Sequence, residues 1–336
     1  MQSKSASGDG PAIPSVSLSS FLNGTAKEQR IIAAHVDEIC KSIGFLIIEN
    51  HGVNDGIISN AWSTIGDFFD LPLAEKLTAR SADPYCPRGY FPMQAEALAK
   101  SRGVDTPPDI KERFAIGPLS QPPGSMSDAD LDFHGGENIW PDEPARLRAA
   151  LIGYFNAMET LGSQVLKLFA AALDLPHDYF ARFHTHPRSA LSCNSYPYSD
   201  EPLLPNQKGA GEHSDYGTVT ILKPDPNVAG LEIKLPTGQW AEAPLVDNKF
   251  IVNIGDLMAR WTNDRWVSTL HRVVKPGVKK GGANRRQSMA FFMNTNYDAE
   301  IECLPTCLEA GEDARYDAVR SGEYLKARFT SAVNAE

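Results

Sequence analysis

A change of hydrophobic period near residue 190 restricts the fold more than any other feature of the chain. Before it, apolar residues recur at helical spacing; after it, they alternate or cluster in short runs broken by Gly, Pro and Asn. The strongest helical signal passes through Leu147, Leu151, Tyr154, Met158, Leu161, Val165, Leu168 and Ala172, at steps alternating between four and three. It predicts a helix of about seven turns against which a sheet can pack. Ala26–Ile43 carries Ile32, Val36, Ile39 and Ile43 on one face and ends at Gly44, and a further helix carries Ile58, Trp62, Ile65 and Phe69 before Leu71-Pro72. Phe45–Ile48 reads as a buried strand. The weakly periodic stretch from Ser81 to Thr106 reads as a surface loop region, and the chain up to about Pro11 as a loose tail.

Beyond residue 190 the expected strands are Ala190–Pro197, Thr218–Leu222, Leu231–Leu235, Lys249–Ile254, Val267–Val274 and Gln287–Asn294. Leu235-Pro-Thr-Gly238 is a hairpin signal, so the strands are expected to be antiparallel, in a sandwich or barrel flanked by helices. Neither an internal repeat nor a low-complexity linker divides the chain, and residues 1–336 read as a single domain.

Charge and apolar content narrow the function. With 42 acidic against 32 basic residues the formal net charge is −10, which disfavours nucleic acid and anionic lipid as partners. The longest apolar run, Leu168 to Leu173, is far shorter than the ~18 residues that span a bilayer, and the Ser/Gly/Pro-rich start lacks an apolar signal core. The expectation is a soluble, cytoplasmic chain with no obligate protein partner. Cys40, Cys86, Cys193, Cys303 and Cys307 contain no Cys-x-x-Cys pair and read mostly as buried thiols, with a bridge or a metal site at Cys303 and Cys307 as the alternatives.

His213-Ser-Asp215 is the first chemical signal. On extended backbone residues i and i+2 project to one face, so two metal-competent side chains point the same way. His271, in a later strand-like run, would complete two imidazoles and a carboxylate on one side of a metal, leaving open positions suited to non-haem Fe(II). Taken alone, His-x-Asp also arises by chance, and a lone strand histidine is more often a hydrogen-bonded core residue than a ligand. Arg286 offers a planar fork of donors for a carboxylate, with Ser288 on the same strand face. Its alternative is a solvated basic loop, the reading kept for Lys275, Lys279, Lys280 and Arg285.

Longer stretches carry a resemblance. Gly211-Glu-His-Ser-Asp-Tyr-Gly-Thr-Val-Thr-Ile-Leu222, Asn253-Ile-Gly-Asp256, Trp261-Thr-Asn-Asp264, Ser268-Thr-Leu-His-Arg-Val273 and Arg286-Gln-Ser-Met-Ala-Phe-Phe292 come in one order, after Gly44-Phe45, Asn50-His-Gly52, Phe68-Phe-Asp-Leu-Pro72, Arg88-Gly-Tyr90, Asp109-Ile-Lys-Glu112, Ile116-Gly117 and Asn138-Ile-Trp-Pro141. Over nearly the whole chain this resembles the isopenicillin-N-synthase-like iron(II)/2-oxoglutarate oxygenases, with wording most similar to thymine-7-hydroxylase and microbial relatives. The resemblance implies an α+β fold, a distorted double-stranded β-helix (jelly roll, cupin-like) flanked by helices. About 12–140 would form the family's N-terminal region, and about 188–300 the core with the iron site. It makes His213, Asp215 and His271 the iron ligands, and Arg286, Ser288, Tyr196 and Asn194 the 2-oxoglutarate site.

The implied enzyme is a dioxygenase that uses Fe(II), 2-oxoglutarate and O₂, with ascorbate as an auxiliary reductant, to oxidise a C–H bond of a small molecule, a natural product in this reading. Hydroxylation is the default outcome, and desaturation or ring rearrangement the variants. Isopenicillin N synthase and the ethylene-forming plant oxidase keep the Arg-x-Ser pair without using oxoglutarate, so an oxoglutarate-independent oxidase is the alternative within the family. A catalytically silent binding protein is the alternative outside it. Arg88, Tyr90, Ser192, Tyr216 and Phe292 are the candidates for substrate contact, although Tyr216 and Phe292 also read as core aromatics and Arg88 as a loop brace. Many relatives carry Arg where this chain has Ser192, which suggests a less anionic and bulkier substrate. Val16-Ser17 replaces the Asp that usually ends the first strand, a change expected to affect packing only.

Overall fold

A computed structural model describes residues 13–120, 131–198, 202–274, 285–309 and 311–333. The N-terminal tail, Lys275, Lys279 and Lys280 lie outside the described residues. In chain order the strands of the two larger sheets are β1 (Ser15–Ser17), β2 (Phe45–Glu49), β3 (Gly89–Phe91), β4 (Glu112–Ile116), β5 (Ala190–Pro197), β6 (Ala210–His213), β7 (Val219–Lys223), β8 (Leu231–Lys234), β9 (Trp240–Glu242), β10 (Phe250–Ile254), β11 (His271–Val273) and β12 (Arg285–Met293), and Glu300–Ile301 pairs with Val319–Arg320 in a third. A large sheet has the order β1-β2-β10-β7-β12-β5-β4-β3, and a smaller one the order β6-β11-β8-β9. All neighbours in these two sheets pair antiparallel except β1 with β2. This is the helix-flanked, two-sheet α+β jelly roll.

Period-two alternation divides the large sheet into two chemically different faces. Leu46, Ile48, Phe114, Ile116, Leu191, Cys193, Val219, Ile221, Phe250, Val252, Met289 and Phe291 join the helices in the main core. The other face meets the small sheet. Around β2 and β10 it is apolar, with Phe45, Ile47 and Ile251 packed near Leu231, Ile233 and Val273. Around β4, β5 and β12 it is polar and lines a cavity.

The helices follow their sequence signals. Thr25 and Glu28 form a reciprocal capping box at the start of Ala26–Ser42, and Asn54 caps Asp55–Asp70 through the Gly56 amide. The long helix is Leu147–Ala172, and each of its eight periodic residues is buried. The hairpin forms as expected: β8 pairs with β9, Gly238 donates to the Leu235 carbonyl at 2.8 Å, and Gly238 has φ +84°. Ser17 keeps a helix-capping role at the family's Asp position, because its Oγ accepts the Ser20 amide at 3.3 Å.

Two expectations need correction. The Ser81–Thr106 stretch is not merely a surface loop: it supplies edge strand β3 and a 3₁₀ turn, Leu98–Arg102, and buries Arg88, Tyr90, Glu96, Ala97 and Ala99 against β4 and the C-terminal helix. Its burial depends on partners distant in sequence, so local periodicity carries no trace of it. Arg285 is not a solvated loop residue either, since it lies in β12 and pairs with Asp70. All five cysteines are free; Cys40 and Cys193 are buried, and the other three, Cys303 and Cys307 among them, are half-buried.

Phe155 of the long helix meets Phe291 of β12 edge-on, with ring centroids 5.1 Å apart, and both are buried. Phe155→Ala is expected to cost about 3–5 kcal/mol in denaturant unfolding, from lost burial plus the cavity left behind. A loss below about 1 kcal/mol would show that the helix does not anchor this sheet.

Candidate metal and cosubstrate site

His213 ends β6 and His271 opens β11, and the register sets the two opposite each other, with ring centroids 4.3 Å apart. Asp215 lies beyond β6 rather than on it, so the expected i, i+2 strand geometry holds only at His213. Its carboxylate still reaches the pair: Oδ1 is 3.6 Å from His271 Nε2, and one ligand atom from each residue lies within 4.8 Å of the others.

Each group is oriented from behind. His213 Nδ1–H donates to the Gly211 carbonyl at 2.7 Å, and His271 Nδ1–H to the Thr269 carbonyl at 3.1 Å. A carbonyl can only accept, so both rings carry the proton on Nδ1 and present the Nε2 lone pair. Asn253 donates to Asp215 Oδ2 at 2.6 Å. The Asp215 loop is strapped to the start of the short helix Asp256–Trp261 by Gly255 N–H to Thr218 O (3.0 Å), Asp256 N–H to Asp215 O (2.7 Å) and Leu257 N–H to Gly217 O (3.1 Å). A Cβ at Gly255 would fall 2.2 Å from the Gly217 carbonyl oxygen, so the close approach needs glycine.

Burial, reinforced by the neighbouring His271, pushes His213 down to about 3, so this imidazole stays neutral at physiological pH. For Asp215 burial acts upwards, but the two imidazoles and the bonds from Asn253 and Thr220 outweigh it and hold the carboxyl below its ordinary value. A neutral imidazole and an ionised carboxylate are the forms that bind a metal.

The cavity beside the triad encloses about 240 Å³. Register arranges its floor in successive rows about 7 Å apart. Tyr196 stands opposite Arg286; Arg113, Asn194 and Ser288 form the next row; Ala115, Ser192 and Ala290 the one after; Ala190 and Phe292 the last. Arg286 is only 2% exposed, its guanidinium lies 5.1 Å from the Tyr196 ring centroid, and its Nε and Nη1 have no partner among the described residues. A buried cation with free donors is costly unless an anion meets it, which fits the far carboxylate of a dicarboxylate ligand.

Of the substrate candidates, Arg88, Ser192, Tyr216 and Phe292 line the cavity, and Arg88 also braces its loop through the Phe133 carbonyl at 2.7 Å. Tyr90 does not line it. β3 pairs Tyr90 with Phe114, which puts its ring on the helix side of the sheet, where its hydroxyl donates to Glu112 at 2.6 Å. Sequence reasoning missed Asn253, although it lies in a quoted motif, and also the buried ion cluster that lines the cavity. Glu96 accepts Arg113 at 2.8 and 3.2 Å and Lys111 at 3.0 Å. Burial works against the Glu96 charge, yet Arg113 and Lys111 prevail and lower its pKa to about 2. Lys111, Arg113 and Ala115 alternate with the core residues Phe114 and Ile116, a pattern that could have pointed to this face.

The chain matches two family descriptions, the non-haem dioxygenase in morphine synthesis N-terminal region over residues 13–143 and the 2OG-Fe(II) oxygenase superfamily over residues 187–295. It is similar to the homoarginine-6-hydroxylase 2-ODD-233 of Oryza sativa subsp. japonica, 30% identical with 86% of each chain covered. Clavatol oxidase claD of Penicillium crustosum is 32% identical, with 95% of this chain and 96% of the relative covered. Among solved structures, the full-length thymine-7-hydroxylase of Neurospora crassa in complex with alpha-KG and thymine superposes with a TM-score of 0.83 at 30% identity, covering 96% of this chain and 98% of that one. The chain belongs to the 2OG-Fe(II) oxygenase superfamily. It is an Fe(II)- and 2-oxoglutarate-dependent dioxygenase that oxidises a C–H bond of a small molecule.

Asn253→Ala removes the bond that aims Asp215. It is expected to weaken Fe(II) binding by about 10–100-fold, measured by anaerobic titration, with the circular dichroism spectrum unchanged. Unaltered affinity would mean that Asn253 does not orient the carboxylate.

Proposed function

We propose that His213, Asp215 and His271 hold Fe(II), that Arg286 and Ser288 bind the far carboxylate of 2-oxoglutarate with Tyr196 and Asn194 beside it, and that the substrate lies over Ser192 within reach of Phe292, Tyr216 and Arg88. The observation that carries this reading is Arg286: a buried guanidinium with two unpartnered nitrogens on the same cavity wall as the triad. With these components bound, the iron centre supplies an oxidant such that 2-oxoglutarate, O₂ and R–H become succinate, CO₂ and R–OH. The protein's own part is positional. Arg286 and Ser288 fix one end of the cosubstrate, the locked histidine tautomers and Asn253 hold the donor set, and the apolar walls exclude water from the reacting C–H bond.

We read the substrate as a natural product, less anionic and bulkier than one met by an arginine at the Ser192 position, and the default outcome as hydroxylation. One relative is named for homoarginine and another for clavatol, so the scaffold is not tied to one substrate. A less anionic substrate follows from Ser192, which adds no charge to its row, while Arg88 and Arg188 elsewhere on the cavity wall bond the main-chain carbonyls of Phe133 and His186. Room exists locally, where Ala115, Ser192 and Ala290 adjoin. We also read the chain as a single oxygenase unit, supported by a main core built jointly by Phe68, Leu151, Val252 and Phe291 from both halves.

Anaerobic addition of 2-oxoglutarate to the Fe(II)-loaded protein is expected to produce a weak visible charge-transfer band. Arg286→Ala should weaken cosubstrate binding by at least about 30-fold in that titration while leaving Fe(II) affinity intact, as removal of a buried charge-assisted contact implies. Equal cosubstrate affinity in the two proteins would remove Arg286 from the site. Ser192→Arg is expected to change the order of preference in a metabolite panel scored by succinate release; an unchanged order would show that the substrate does not pass over this row.

A further inference from the structure

The C-terminal helix Ser321–Ala332 forms part of the cavity wall through Leu325 and Phe329. Beside them, Arg328 Nη1 donates to the Ser101 carbonyl at 2.7 Å, Nη2 donates to Asp256 Oδ2 at 3.2 Å, and the guanidinium lies 4.8 Å from the ring centroid of Tyr216, the residue after Asp215. Tyr324 of the same helix donates its hydroxyl to Asp256 Oδ2 at 3.4 Å. The other carboxylate oxygen of Asp256 accepts the Ser268 hydroxyl at 2.7 Å, three residues before His271. The Asp256 main-chain N–H donates to the Asp215 carbonyl at 2.7 Å. One residue therefore touches the wall helix, the segment leading into His271, and Asp215 itself.

We propose that Asp256 is a positioning residue that couples the docking of the C-terminal helix to the geometry of the iron site, with Arg328 as the latch on the helix side. Asp256 contacts no reacting atom. It joins two elements that must be correct together: the donor triad, and the Leu325 and Phe329 wall that holds the substrate C–H bond near it and keeps water away. Loading the triad tightens the helix, and by reciprocity undocking the helix loosens the triad. Arg328 suits the role because a planar guanidinium can bond Ser101 and Asp256 at once while lying over Tyr216; a lysine cannot satisfy all three.

The coupling is tested on the full chain, without substrate and without turnover. Amide hydrogen exchange of residues 321–332 is followed anaerobically with and without Fe(II) plus 2-oxoglutarate, in the wild type, Arg328→Met, Arg328→Lys and Asp256→Asn. In the wild type, loading is expected to slow exchange across this helix by about 5-fold or more. In Arg328→Met the helix should exchange faster and become insensitive to loading, with Fe(II) affinity several-fold weaker; Arg328→Lys should recover part of the response. Should Asp256→Asn fail to fold, the two Arg328 variants still decide the matter. An equal response in the wild type and Arg328→Met would overturn the proposal, as would a wild-type helix indifferent to loading. The proposal rests on the assignment of the metal ligands, which fails separately: Fe(II) would then bind His213→Ala as well as it binds the wild type.

Discussion

Two imidazoles and a carboxylate held with ligand atoms within 4.8 Å of one another are the constraint on which the rest of the structure depends. Asp215 and His271 are buried and His213 is half-buried, and each is useful only in one protonation state and one orientation. The fold meets these demands from outside the triad. Main-chain carbonyls two residues upstream fix both histidine tautomers, Asn253 fixes the carboxylate, and a glycine brings the Asp215 loop against the Asp256 helix. These supports come from β6, β10 and the run into β11, so the jelly roll has to close before the site exists.

The same alternation that builds the site also isolates it. One face of the large sheet is committed to the helices, so its residues cannot be exchanged without cost to stability. The other is divided between an apolar end that joins the two sheets and a polar end that lines the cavity. The Glu96, Lys111 and Arg113 cluster shows how far the division extends. Charged side chains are tolerated in the interior here because each faces a partner of opposite sign. Glu112, on the opposite face of the same strand, is matched instead by Lys76 at 2.7 Å and Tyr90 at 2.6 Å. A strand with charges on both faces, both buried, is held in register by electrostatics as well as by its backbone ladder.

Much of this is legible in the sequence because the signals are local. Periodicity alone locates the long helix and β5, and spacing together with family wording locates the triad and Arg286-x-Ser288. The parts that are not legible depend on contacts between distant residues. Tyr90 reads as a pocket residue until β3 pairs it with Phe114, and parity sends it to the helix side. Arg285 reads as loop until Asp70 meets it, and Glu96 as surface until Arg113 and Lys111 close over it. In each case burial is set by a residue that no periodicity names.

The row Ala115, Ser192, Ala290 has a consequence for how such an enzyme changes. Each residue comes from a different strand, and each backbone is already fixed by a complete ladder on both sides or by the strand beside it. The cavity floor here, the proposed substrate bay, is thus a set of tiles from separate strands. Enlarging one side chain would make the cavity shallower at one point while the strand register, the proposed iron donors and Arg286 two rows away keep their places. On the proposed assignment, changes of substrate shape would fall on this row and the metal and cosubstrate contacts on others, so specificity could drift while the chemistry stayed in place.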